Sequence, residues 1–374
     1  MKNGIKKEDS LLIYGIAILF MIYHHLFVWG DGTHYSILDN LVGPMTEQRL
    51  AWLFRLCIPF YAFISGYGIS EKLSQKSISE RCKIHSLKSN YLLALKQILK
   101  LMKKYWLVYI IFIPMGVYFF NLSLIGPRHF TKSLFGFGGA YNSEWWYIKQ
   151  YMMMLVLFPI FDFIMSNILN FTNNNIIQKY KQGKQITMCI VLAFGLLFAL
   201  FRNAPVFHYF ITQLDNGVFV FTLVFFVGFI CSHFHLFEIG STNKIFQKIR
   251  PFLSILILIG CFSIRWIRAY DAVYCKYDAF ITAPIIYALI TLFSYLKPLC
   301  LILQKLGKYS THMWLTHTFF CYYYFSKLIE NTKISILMFL TTTVLSLITA
   351  FLLTRLESSI GKLFNRIFKT SNPS

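Results

Sequence analysis

The residues best placed to do chemistry lie in one apolar run, residues 11–29, which carries two adjacent histidines, His24 and His25. Roughly 20 apolar residues cross a bilayer core as a helix, so this run is long enough to span. Ionisable side chains inside a spanning segment are costly and face a bundle interior or a wet cavity, which makes both imidazoles candidate catalytic groups. At helical spacing Tyr14, Ile18, Met21 and His25 share one face. His24 points about 100° away from that stripe, so the two rings are set for different tasks. An imidazole has an ordinary pKa of about 6.5, so the chemistry on offer is general-base or nucleophilic catalysis near neutral pH.

Other polar groups punctuate the apolar runs. Arg55 opens the stretch RLCIPFYAFISGYGIS, in which Pro59 predicts a bend and Ser65, Gly66 and Gly68 predict a close helix–helix approach. Residues 84–106 follow an amphipathic helical pattern with Lys96, Lys100 and Lys103 on one face. Such a stripe binds anionic lipid headgroups; alternatively Lys100, Lys103 and Lys104 grip the phosphates of a nucleotide-like donor. In SEWWYIKQYMM, Glu144 beside Trp145 and Trp146 suits a sugar, whose hydroxyls need an acceptor and whose C–H faces need apolar plates; the same tryptophans also suit an interfacial aromatic belt. Gly136, Gly138 and Gly139 follow no strand and open no helix, so a phosphate-binding glycine loop is excluded and a turn remains. His312 and His317 differ by five positions, which excludes a zinc site of the HExxH kind and leaves His317 as a polar group in mid-span. Asp215, Arg265, Arg268, Asp271 and Asp278 pair with one another or line a vestibule, and residues 30–49 read as a solvated connector.

The elements that must position these groups are membrane helices. Of the 374 residues 56% are hydrophobic and 14% charged, too apolar for a soluble domain. Ten spans are expected, at about 11–29, 50–70, 105–122, 145–166, 186–201, 213–233, 251–268, 277–296, 309–327 and 336–355. The net charge of +21 comes from Lys and Arg that lie mainly in alternate connections between spans. This is the positive-inside pattern with both termini cytoplasmic, and it excludes nucleic acid as the partner of a basic face. No cleavage signal follows the first run, so that run is expected to be retained. The eight cysteines form no CxxC pair and read as packing residues, with no metal site. Without repeats or linkers, and with a tail after Arg355 too short to fold alone, residues 1–374 are expected to form one all-α integral domain.

Taken together, the segments YGIAILFMIYHH, RLCIPFYAFISGYGI, KLMKKYW, SEWWYIKQYMM and LGKYSTHMWLTH, in this order and spacing, resemble the membrane acyltransferase-3 family. The resemblance covers roughly the whole chain. It implies an O-acyltransferase of the cell membrane, bacterial by analogy, that draws an acyl group, usually acetyl, from cytoplasmic acetyl-CoA. The implied acceptor is a sugar hydroxyl of a surface polysaccharide or its lipid-linked precursor. The family signature is an arginine near the inner end of span one and a histidine 11 positions later. His25 matches the histidine, whereas Tyr14 stands where the arginine belongs. A tyrosine supplies no fixed positive charge for a donor phosphate. Lys7, two turns back on the same face, is the expected replacement. The resulting site comprises His25 and His24 as catalytic groups, and Lys7, Tyr14, Lys100, Lys103 and Lys104 toward the donor. Arg55, Glu144, Trp145, Trp146 and His317 face the acceptor. The rival reading is a transporter or flippase of a lipid-linked saccharide in which the same groups line a path; clear internal repeats, usual in transporters, are absent.

Overall fold

The computed structural model describes residues 4–29, 34–175, 216–238, 243–267 and 277–370. The expected span at 186–201, together with Asp215, Arg268 and Asp271, lies outside the described residues. In chain order the helices are α1 (Lys7–Phe27), α2 (Ile37–Leu41), α3 (Thr46–Leu53), α4 (Cys57–Leu73), α5 (Ile78–Arg81), α6 (Ile84–Phe119), α7 (Pro127–Leu134), α8 (Trp146–Asn175), α9 (Asn216–His233), α10 (Lys244–Ile267), α11 (Asp278–Phe293), α12 (Lys297–Cys321), α13 (Ser326–Glu330) and α14 (Ser335–Thr370). Apart from one isolated bridge between Tyr35 and Ile334, no strand occurs among the described residues. The fold is all-α.

Among the described residues, five stretches are long and apolar enough to cross a membrane: Lys7–Phe27, Thr46–Leu73, Ser143–Asn170, Lys244–Ile267 and Ser335–Leu363. Two shorter apolar helices, Val220–His233 and Asp278–Phe293, accompany them. The amphipathic segment and the third expected span are not separate elements. They form the single helix α6, 36 residues and so about 54 Å long, nearly twice a bilayer core.

Two pairs of glycines set the closest helix contacts. A Cβ on Gly15 would fall on the carbonyl oxygen of Leu303, and one on Gly307 would fall on that of Leu11, so α1 and α12 meet backbone to backbone. Gly66 and Gly228 do the same for α4 and α9, against Phe225 and Phe63. Without a hydrophobic force between helices in lipid, such small-residue seams let van der Waals contact and dipoles hold the bundle. Gly68, expected to join the seam, meets nothing within 4 Å. Pro59 does not bend a helix interior either. It occupies the first turn of α4, where its missing N–H costs nothing, and the break falls in the single turn Phe54–Leu56. That break turns Arg55 inward.

Buried polar clasps tie the remaining helices. Asp162 on α8 accepts from Arg81 of α5 and, at 2.9 Å, from Asn90 Nδ2 of α6. Arg265 and Asp278 pair at 3.3 Å, and Arg265 also donates to the Trp52 carbonyl at 3.2 Å, joining α10, α11 and α3. They serve the bundle rather than a vestibule. Residues 34–49 are fastened as well: His34 Nε2 and Glu47 Oε2 are paired at 2.6 Å, with Glu47 buried and His34 half-buried.

The contrast within α4 is testable. Gly66→Ala should lower stability by about 1–3 kcal/mol through overpacking against α9. Gly68→Ala should be neutral or gain up to about 1 kcal/mol from helix propensity. Thermal unfolding of the two variants in detergent measures the difference.

Candidate active site

A cavity of about 310 Å³ lies between α1, α4, α6, α8 and α12. His24, His25, Arg55, Glu144 and Trp146 line one end, and Gln97, Lys100 and Lys104 the other. Between them stand Tyr14, Tyr61, Ser65, Tyr147 and Tyr151. Along α1, the eleven steps from Tyr14 to His25 cover about 16 Å. Tyr14, Met21 and His25 face this one space, as their helical spacing places them.

The hydrogen bonds around His25 decide which nitrogen carries its proton. The Tyr322 hydroxyl donates to the backbone carbonyl of His25 at 2.5 Å. Its single proton is thereby committed, and its oxygen accepts from His25 Nδ1–H at 3.1 Å. The lone pair is therefore on Nε2. Across from Nε2, at 3.7 Å, lies Oε2 of Glu144, with side-chain exposures of 13% for the histidine and 24% for the glutamate, enough for a substrate to reach both. The separation is too long for a direct hydrogen bond, and both atoms accept, so a hydroxyl that reaches them donates its one proton to one of the two.

Glu144 is held from below. Ser143 Oγ donates to its Oε1 at 3.1 Å, and Asn142 Oδ1 accepts its backbone N–H at 3.0 Å. Asn142 Nδ2 donates to Thr318 Oγ1 at 2.6 Å, and Trp145 Nε1 donates to the Leu315 carbonyl at 3.0 Å, so the turn Ser143–Trp145 is fastened to α12. This leaves Trp146 as the tryptophan that lines the cavity. Trp145, 1% exposed, is a structural anchor and not a plate.

Several expected positions change. His24 lines the cavity, but its Nδ1 bonds to the Ala51 carbonyl at 2.7 Å, which fixes the ring against α3, edge-on to His25. His317 is fully buried and does not line the cavity. Its Nδ1 bonds back to the carbonyls of Trp314 and Met313 on its own helix, and its ring centre packs 5.1 Å from that of His25. It backs the His25 ring instead of facing a path. Lys7 is exposed and absent from the cavity wall, so it does not take over from the missing arginine; as the first residue of α1 it lies beyond the helices that enclose the cavity. Lys103 is likewise exposed and turned away, since α6 presents Lys100 and Lys104, four apart, to the cavity. Tyr14 is stacked on Tyr61 with ring centres 5.3 Å apart.

Residues 12–355 match the acyltransferase domain that defines the acyltransferase-3 family. The chain belongs to the acyltransferase-3 family. No curated protein and no solved structure gives a match. The protein is thus an acyltransferase of the multi-pass membrane type, and the transporter reading is set aside. Within this acyltransferase, the place of the signature arginine is filled by an aromatic pair, and the cations that line the cavity are Arg55, Lys100 and Lys104.

Sequence reasoning missed Tyr322. A signal was present in the run CYYYF, three consecutive phenols where lipid-facing residues are expected. Each holds a different element: Tyr322 the His25 carbonyl, Tyr323 the Ser143 backbone N–H at 3.1 Å, and Tyr324 the Phe112 carbonyl at 3.0 Å.

Tyr322→Phe removes the acceptor that keeps the proton on Nδ1. With His25 read as a general base, the expected result is a fall in kcat of at least about tenfold with KM for both substrates little changed. Steady-state kinetics in nanodiscs test this.

Proposed function

We propose that this acyltransferase is a cell-membrane O-acetyltransferase that moves an acyl group from acetyl-CoA at the cytoplasmic face to a sugar hydroxyl of a surface polysaccharide or its lipid-linked precursor. The observation that carries the reading is the open Nε2 of His25 facing Glu144 in a cavity that also reaches Lys100 and Lys104. In this reading both termini are cytoplasmic, ten spans cross the membrane, and the lysine end is the donor side, as the distribution of basic residues supports.

The chemistry follows from the groups at each end. Lys100 and Lys104 bind donor phosphates by charge-assisted hydrogen bonds, the task the signature arginine would otherwise share. The acyl-bearing arm runs past Tyr14 and Tyr61 toward His25. The acceptor hydroxyl donates to Nε2 at the edge of the space beside Glu144, with Trp146 under the sugar ring. As the hydroxyl oxygen attacks the thioester carbonyl, its proton passes to Nε2, and the Glu144 carboxylate stabilises the imidazolium that forms. Arg55 faces the negative charge that develops on the carbonyl oxygen. Collapse of the tetrahedral intermediate breaks the C–S bond, and the imidazolium returns its proton to the departing thiolate. One ester and one thiol result. His24, fixed to Ala51, contributes shape and polarity to the acceptor end, and membrane lipids surround the bundle.

Two outcomes check the assignment. His25→Ala should abolish acceptor acylation while the protein still folds and inserts, and Glu144→Gln should lower kcat by about 10²-fold. Mass analysis of the surface glycan from cells carrying each variant reads both; full acylation with His25→Ala would remove His25 from the mechanism. Replacing Lys100 and Lys104 together by Ala should raise KM for acetyl-CoA about tenfold or more with little effect on kcat, measured with detergent-solubilised enzyme.

A further inference from the structure

A second cavity, of about 460 Å³, lies on the opposite side of α1 and shares no lining residue with the first. Its walls come from the segment before α1 and from α1, α10, α11 and α12. At its polar end Arg250 is held in place twice. Its Nε donates to Thr291 Oγ1 at 2.9 Å, and its guanidinium lies 4.9 Å over the ring of Tyr287. The Thr291 hydroxyl is itself fixed, since it donates to the Tyr287 carbonyl at 2.9 Å. Among the described residues the two terminal nitrogens of Arg250 have no hydrogen-bond partner. They form a planar pair of donors, preorganised for a bidentate oxyanion.

Lys6 lines the same cavity, as does Asp9, whose carboxylate already accepts the Lys6 backbone N–H at 2.9 Å. Two cations and one carboxylate leave one net positive charge. That matches a phosphodiester, which carries one negative charge, better than a phosphomonoester, which carries nearly two near neutral pH. The rest of the lining is apolar or aromatic, including Leu12, Phe237, Phe246 and Ile290. The helix that supplies Arg250 is itself barely buried, with Ile249 and Phe252 beside the arginine exposed on the bundle's outer surface. A site with one net charge, a bidentate donor and an apolar wall that meets the bilayer fits an ionised headgroup joined to acyl chains.

We infer that Arg250 and Lys6 bind the phosphodiester of an anionic phospholipid in this cavity. The site is independent of acyl transfer and stands whether or not His25 is the catalytic base.

Full-length protein purified in detergent, followed by thermal unfolding, tests the assignment with three additions: phosphatidylglycerol, phosphatidylcholine and inorganic phosphate. The expected result is a rise in melting temperature with phosphatidylglycerol that greatly exceeds the other two. Arg250→Gln should abolish that rise, and Arg250→Lys, which keeps the charge but loses the fork, should weaken the apparent affinity about tenfold. Lys6→Gln changes an exposed residue ahead of α1, so it tests the site even if Arg250→Gln fails to fold; it too should reduce the rise. Equal stabilisation of wild type and Lys6→Gln and Arg250→Lys by phosphatidylglycerol would overturn the site. A shift with inorganic phosphate as large as that with the lipid would overturn the lipid in favour of a free anion, and an equal shift with phosphatidylcholine would overturn the charge argument.

Discussion

The approach of α1 and α12 through Gly15 and Gly307 is the constraint on which the site depends. It brings two backbones within reach of each other along the length of α1, and so delivers the C-terminal end of α12 to the C-terminal end of α1. Only because of this can Tyr322 touch both the side chain and the carbonyl of His25, residues 297 apart in the chain. The glycines themselves lie a turn or more from any catalytic group. Their contribution is the distance they permit, since every larger residue would push the helices apart.

The end of the bundle that carries His25 is then closed by hydroxyls. Tyr322, Tyr323 and Tyr324 bind α1, the Ser143–Trp145 turn and α6 respectively, and Asn142 and Trp145 return bonds to α12. Each bond satisfies a backbone or side-chain polar group from within the bundle. His25 and its facing carboxylate are therefore carried by different elements that share one scaffold, α12. This explains how a site built from a helix end and a short turn keeps a defined 3.7 Å gap.

Helical periodicity carried much of this in the sequence. It put Tyr14, Met21 and His25 on one stripe, and composition alone indicated a helical membrane protein. The segments flanking Arg55 and Glu144 were likewise visible as polar residues in apolar surroundings. What stayed hidden was relational. Nothing local distinguishes Trp145 from Trp146, although one anchors to Leu315 and the other faces the cavity. Nor does local pattern tell that His317 spends its Nδ1 on its own helix, or that α6 continues unbroken through a change from amphipathic to apolar. The misplaced role for Lys7 has the same origin: a shared helical face near a helix start says nothing about which neighbour covers it, and here none does.

The bond between Tyr322 and His25 has a consequence for energy conservation as well as for catalysis. An imidazole conducts protons along a membrane when one nitrogen gains a proton while the other releases one. Here the Nδ1 proton faces an oxygen whose own hydrogen is spent on a carbonyl, so nothing beyond it can pass the charge on. In the proposed mechanism His25 gains and loses its proton at the same nitrogen. A titratable ring can thus be kept deep in a bilayer protein, in contact with a chamber that holds cations at its far end, without short-circuiting the proton gradient across that bilayer.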